Sequence, residues 1–219
     1  MTSELWRDAV CVITGANGYL GRRLAARLLT QTAVSRIVLF DVTCPVRDPH
    51  PLPAQHQTEL LARCVKVMGD IRQPKAVAAA FEAALAQADS KSDLVVFHVA
   101  SYGMSGKEQV ADPQKVMAIN VQGTQHIIDE CRRHSTTTRH VTLVYTSSFN
   151  TVFGGDPATP IHNGDEHIPY LPLDKHCDLY SKTKSIAEQL VINANSKTVQ
   201  TCALRSAVRS VLSVLCAAF

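Results

Sequence analysis

The chain has 219 residues, enough for one sizeable domain. With 46% hydrophobic but only 5% aromatic residues, its core has to be built from Val, Leu, Ile and Ala. A net charge of +3, scattered along the sequence, argues against a nucleic-acid binder. Seven single cysteines, with no CxxC pair and no Cys/His spacing for a metal, suit reduced thiols in a cytoplasmic compartment.

Met1 to Asp8 carries Glu4, Arg7 and Asp8 and no apolar core, so no signal peptide is expected. No run approaches the ~18 apolar residues of a membrane span. Ala9 to Ile13 is a β-branched apolar run that reads as a strand buried on both faces. Thr14 to Gly21 then places glycines at 15, 18 and 21, and from Tyr19 the spacing turns helical, with Leu20, Leu24, Leu28 and Leu29 on one side. Strand, glycine turn and helix in that order suit a dinucleotide pyrophosphate. Gly15 permits the tight turn, Gly18 lets the backbone approach the phosphates, and Gly21 lets helix and strand pack closely. Free N–H groups at the helix start face the anion.

Three glycines alone also fit an ordinary strand-to-helix turn. The second strand, Ile37 to Asp41, adds a carboxylate twenty residues after Gly21. An acid there accepts from the adenosine ribose hydroxyls and repels a 2′-phosphate, favouring NAD over NADP. A plain turn residue opening the next loop is the other reading of Asp41. Arg22 and Arg23 fit a solvated helix face.

The segment Thr43 to Gln57 holds four prolines and reads as loop. Cys64 to Met68 is a third strand closed by Gly69-Asp70, and Pro74 starts a helix to about Gln87 with Val77, Phe81 and Leu85 inward. Asp93 caps nothing obvious before a fourth strand, Leu94 to Val99. A loop from Ala100 to Ala111 leads to one long helix, Pro113 to Arg133. His140 to Tyr145 is the fifth strand. A polar stretch from Asp156 to Asp178 precedes a helix from Leu179 to about Ala194, and Val199 to Leu204 is the sixth strand. Apolar strands alternating with helices predict an α/β fold, a Rossmann-type doubly wound parallel sheet of about six strands.

Tyr180-Ser-Lys-Thr-Lys184 places a phenol and an ammonium at i and i+4 on one helix face. A nearby cation stabilises phenolate, so the spacing predicts a Tyr180 pKa lowered from about 10 and an acid/base role in a hydroxyl–carbonyl interconversion. A solvated helix carrying a tyrosine and two lysines is the ordinary alternative.

The segments HVASYGMSGKEQ (98–109), NVQGT (120–124), LVYTSSFNTVFGG (143–155), NGDEHIPYLP (163–172) and YSKTKSIAEQ (180–189) resemble the extended short-chain dehydrogenases/reductases. Within these they resemble the 3β-hydroxysteroid dehydrogenase group, family 42E in particular, over residues 9 to 205. The resemblance implies NAD-dependent oxidation of a sterol or steroid 3β-hydroxyl, with Tyr180 as proton donor and acceptor. Lys184 would bind the nicotinamide ribose and tune Tyr180. Ser148, with Ser147 as fallback, would bond the substrate oxygen, and Asn120 would complete a proton relay. Gly15, Asn17, Gly18, Tyr19, Leu20 and Gly21 would form the phosphate turn, with Asp41 on the ribose and Asp70 on adenine. His98, Ala100 and Ser101 would line the cofactor. Asn120 also fits a bond to a neighbouring backbone carbonyl, Asp70 a turn, and His98 a satisfied core position.

The resemblance breaks after Arg205, where family members continue with a Pro-x-Gly pattern and this sequence reads Ser206 to Phe219. The expected division is an NAD-binding domain, 1–205, and a divergent tail, 206–219, in a C-terminally truncated product that lacks most of the substrate lobe. Two functions stay open: a working steroid dehydrogenase, or a non-catalytic isoform that keeps NAD binding or pairs with a second subunit, a homodimer through the Tyr180 helix included. Longer relatives add the expectation of endoplasmic-reticulum association.

Overall fold

A computed structural model describes residues 6–43, 62–86, 88–103, 112–154 and 160–206. Most of the proline-rich loop 43–57 lies outside the described residues, as do Gln87, much of the loop 100–111, part of the stretch 156–178 and the tail from 207 onward. The elements are β1 (Val10–Thr14), α1 (Tyr19–Gln31), β2 (Arg36–Asp41), β3 (Cys64–Met68), α2 (Pro74–Leu85) and β4 (Leu94–His98). They continue with α3 (Pro113–Met117), a π-helical segment (Ala118–Gly123), α4 (Thr124–His134), β5 (Val141–Ser148), a 3-10 turn (Phe149–Thr151), α5 (Leu179–Asn193) and β6 (Val199–Ser206).

All six strands are parallel, in the order β3-β2-β1-β4-β5-β6. This is the doubly wound order, and it puts a switch point between β1 and β4, where successive connections leave in opposite directions. Alternation along the strands feeds two cores. Val10, Val12, Val38 and Phe40 join Phe81, Ile127, Ile128 and Val191 on the face carrying α2, α4 and α5. Cys11, Ile13, Ile37, Val95 and Phe97 join Leu24 and Leu28 of α1 on the other. β1 and β4 are buried at every residue, as their unbroken apolar runs predict. Asp93, which caps no helix, ties together the starts of β1, β4 and β5. Its carboxylate accepts from the His140 N–H at 3.1 Å and its carbonyl from the Val10 N–H at 2.9 Å.

Two expectations need correction. The single helix from Pro113 to Arg133 is interrupted by the π segment, where buried Asn120 and Gly123 sit. A Cβ on Gly123 would come within 2.7 Å of Ile71, so this position is kept small by the neighbouring side chain. β5 and β6 run further than their apolar cores, pairing through Thr146↔Leu204, Ser147↔Arg205 and Ser148↔Ser206. Among the described residues, no helix is long and apolar enough to cross a membrane.

The glycine turn supplies a stability test. A Cβ on Gly21 would lie 2.7 Å from Ala16 Cα, a backbone atom that cannot swing away. Gly21→Ala is therefore expected to destabilise the chain by roughly 1–3 kcal/mol, the usual cost of overpacking. Urea unfolding checks this, and an unchanged midpoint contradicts it.

Candidate active site

β1 ends at Thr14 and the chain turns at Gly15, whose φ of 67° lies in the left-handed region. A Cβ there would stand 2.8 Å from the Ala100 N and Cα, so the turn also needs glycine for close approach to the loop after β4. Gly18 precedes α1, which has no side-chain cap and no acid in its first turn. Its N-terminal N–H groups thus remain directed at the opening.

Asp41 stands at the end of β2 facing this turn. One carboxylate oxygen accepts from the Asn17 N–H at 2.9 Å, and the other from the Thr43 N–H at 3.0 Å and hydroxyl at 2.9 Å. Arg22 is not simply solvated, because its guanidinium donates to the Asn17 carbonyl at 2.8 Å and braces the turn. Asp70 is gripped by Arg72, whose Nε lies 2.8 Å from its carboxylate. That bond holds the Asp70 carboxyl below its ordinary range.

A cleft of about 1270 Å³ runs from the glycine turn, across the ends of β2, β1 and β4, to the end of β5. Gly15, Asn17, Gly18, Tyr19, Leu20, Asp41, Asp70, Ala100, Ser101, Ser148, Tyr180 and Lys184 all line it. Gly21, His98 and Asn120 do not. For Gly21 this fits its packing role beneath the turn.

His98 is a core residue and does not line the cleft. It is fully buried, with Nδ1 2.7 Å from the Thr14 hydroxyl and Nε2 2.9 Å from that of Thr124. Thr124 donates onward to the Asn120 carbonyl at 2.6 Å, which leaves His98 neutral with its proton on Nε2. Burial, helped by nearby Lys184, lowers its pKa to about 3. The Asn120 side chain is likewise engaged in the core. Its side-chain oxygen accepts from the Tyr102 N–H at 2.8 Å, and its amide donates to the Tyr102 carbonyl at 2.9 Å and the Thr183 hydroxyl at 3.0 Å. The π segment turns it toward the loop after β4, which it clamps.

The far end of the cleft holds Ser148, Tyr180 and Lys184. Asp178 caps α5 by accepting from the Ser181 N–H at 2.6 Å, and the helix presents Tyr180 and Lys184 on one face. Ser148 stands beside the Tyr180 phenol and favours phenolate. Burial and the Asp178 charge outweigh it, so the Tyr180 pKa is raised, contrary to the expectation of a lysine-lowered value. The reason is where Lys184 points. Its ammonium donates to the Thr146 carbonyl and lies 4.1 Å from the centre of the Tyr145 ring. Burial brings its own pKa down to about 7, with Glu188 opposing the fall.

Ser148 is the serine beside Tyr180, while the Ser147 hydroxyl instead donates to buried Glu188. Phe149 and Phe153, with ring centres 5.1 Å apart, wall the cleft beside Ser148. These two and Glu188 were not singled out in the sequence. The i+4 step from Lys184 to Glu188 was the available signal for the glutamate.

The model of the 3-beta hydroxysteroid dehydrogenase/isomerase family matches residues 12–209. The chain belongs to this family. It is 41% identical to short-chain dehydrogenase/reductase family 42E member 1 of Danio rerio over 92% of this chain and 46% of that protein. Against the Homo sapiens protein of the same name it is 41% identical over 90% of this chain and 44% of that one. The chain therefore spans about half the length of the curated relatives it matches. Among solved structures, the UDP-Glc/GlcNAc 4-epimerase of Campylobacter jejuni superposes with a TM-score of 0.65 at 21% identity, covering 90% of this chain and 53% of that one. A short-chain dehydrogenase/reductase superfamily protein of Agrobacterium tumefaciens, solved with NAD, gives a TM-score of 0.60 at 24% identity over 89% and 48%. At these identities the likeness is one of fold.

His98 makes stability depend on acid. It titrates near 6.5 when unfolded and near 3 when folded, so between those values the unfolded chain binds the extra proton. This group's contribution to stability is therefore lost progressively as pH falls from about 6.5 toward 3. His98→Gln, which can still bridge Thr14 and Thr124, should flatten that part of the curve of melting temperature against pH. An equally steep fall in the variant contradicts the assignment.

Proposed function

We propose that this chain is the NAD-binding portion of an oxidoreductase acting on the CH–OH group of a 3β-hydroxysteroid-like alcohol. The observation that carries this is the placement of Ser148, Tyr180 and Lys184 at one end of a cleft whose other end is the glycine turn and Asp41. Relatives support the substrate class. The chain is 32% identical to 3beta-hydroxysteroid-dehydrogenase/decarboxylase isoform 1 of Arabidopsis thaliana and 33% identical to 3 beta-hydroxysteroid dehydrogenase type 7 of Mus musculus. The apolar Phe149–Phe153 wall beside the reactive hydroxyls suits a flat hydrocarbon skeleton.

The residues fit the cofactor. Gly15 and Gly18 leave backbone room at the uncapped start of α1, and the Asp41 carboxylate beside the turn would accept from the hydroxyls of an adenosine ribose. NAD held there would supply the hydride acceptor for the carbinol carbon. Ser148 holds the substrate oxygen, and Tyr180 receives the hydroxyl proton in oxidation or supplies it in reduction. Lys184 holds the ribose edge and braces the end of β5 through Thr146. Because the Tyr180 pKa is raised, the phenol is protonated at neutral pH, which suits reduction; oxidation should speed up as pH rises.

NAD should raise the melting temperature, and NADP less, because a 2′-phosphate would meet the Asp41 carboxylate. Equal stabilisation by both contradicts that role. Tyr180→Phe should leave the NAD-induced shift intact while lowering NADH formation from a 3β-hydroxysteroid by about 10²–10⁴-fold. A rate that survives this substitution removes Tyr180 from the chemistry.

A further inference from the structure

One buried charge beside the reactive pair has no part in the chemistry above. Glu188 is 2% exposed and lies one helical turn beyond Lys184. Its Oε1 accepts from the Tyr170 hydroxyl at 3.0 Å and from Arg205 Nε at 2.8 Å, and its Oε2 accepts from the Ser147 hydroxyl. The three donors come from the segment before α5, the end of β6 and the end of β5. Arg205 also lies over the Tyr170 ring, at 5.1 Å.

The pattern along α5 is regular. Tyr180, Lys184 and Glu188 occupy i, i+4 and i+8 on one face. They meet three consecutive residues of β5: Tyr180 meets the Ser148 hydroxyl, Lys184 the Thr146 carbonyl, and Glu188 the Ser147 hydroxyl. The middle residue of the three is the one that the glutamate pins.

We propose that Glu188 is a positioning residue, which by holding Ser147 fixes the flanking Thr146 carbonyl and Ser148 hydroxyl against Lys184 and Tyr180. The inference rests on reading Tyr180 and Lys184 as the reactive pair. Consecutive Cα atoms are a fixed ~3.8 Å apart, so anchoring Ser147 leaves its two neighbours little freedom. Such anchoring matters at this place, because a misplacement of about 1 Å costs on the order of 10²-fold in rate. A buried ion pair is weak evidence for stability by itself. Here every donor reaching the carboxylate comes from a different segment around the cleft.

Acetylation of the purified chain with acetic anhydride at pH 9 tests this through Lys184. At that pH Lys184, with its pKa near 7, is already deprotonated, so its rate reports position and access instead of charge. Peptide mass spectrometry compares it with exposed Lys197. Glu188→Ala and Ser147→Ala should each raise Lys184 labelling about tenfold relative to Lys197, the effect of losing one charge-assisted hydrogen bond. Glu188→Gln should stay within about twofold of the parent, because its amide N–H can donate to the Ser147 oxygen while its carbonyl keeps Tyr170 and Arg205. Unchanged labelling in folded Ser147→Ala overturns the proposal, and so does Glu188→Gln behaving like Glu188→Ala. Ser147→Ala removes one hydroxyl and carries the test if Glu188→Ala fails to fold. A parallel arm with NAD separates the two ideas: protection of Lys184 supports the nucleotide reading, and no protection counts against that reading while the comparison among variants stands.

Discussion

The buried contact between Thr14 and His98 is the constraint on which the cleft depends. These residues end β1 and β4 and stand side by side in the sheet, at the switch point where the two halves of the fold part. The Thr14 hydroxyl oxygen also accepts the Val99 and Ala100 N–H groups, each at 3.1 Å. Those bonds draw the loop after β4 against Gly15, close enough that no Cβ fits between them. Through Nε2, His98 reaches Thr124 and so the π segment, whose Asn120 clamps Tyr102 on the same loop. One neutral imidazole thereby joins the glycine turn, the β4 loop and the helix behind them. Its donors and acceptors are all matched only while it is uncharged, which is the structural counterpart of its low pKa.

The second half of the cleft is organised by α5, and its polar residues do there what apolar packing does elsewhere. Ala187 and Val191 seat the helix on the β5 side of the core. Its hydrogen bonds with the end of β5 run from Lys184 to the Thr146 carbonyl and from the Ser147 hydroxyl to Glu188. Such bonds have preferred distances and directions, whereas apolar contacts tolerate sliding. A site that has to hold a phenol and a hydroxyl in register is better served by the directional kind.

The fold was legible in the sequence because β1, β2 and β4 are unbroken apolar runs, and an unbroken run between turns has few readings other than a buried parallel strand. The ends of β5 and β6 were not, since Thr146-Ser147-Ser148 carries no apolar signal and is a strand only because β6 runs beside it. The π segment was invisible for a similar reason: Val116 and Ile127, eleven residues apart, are spaced as an uninterrupted α-helix would also space them. Among the site residues, Gly15, Gly18 and Asp41 could be read because their spacing encodes geometry. Asn120 and His98 were placed in the cleft by family resemblance, and only the hydrogen-bond partners reveal them as supports. For Tyr180 and Lys184, spacing gave the shared face but not the direction of the ammonium, which the Thr146 carbonyl and the Tyr145 ring determine.

That direction has an energetic consequence. Lys184 titrates near 10.5 in the unfolded chain and near 7 when folded, so between those values the unfolded chain holds the extra proton and stability rises with pH. At neutral pH the buried ammonium is therefore a cost to folding. The Thr146 carbonyl, the Tyr145 ring and Glu188 reduce that cost without removing it. An apolar side chain of similar length would fill the same space with no such cost. A cation kept where it weakens the fold, beside Tyr180 at the end of an open cleft, fits the proposed catalytic reading and not a stabilising role.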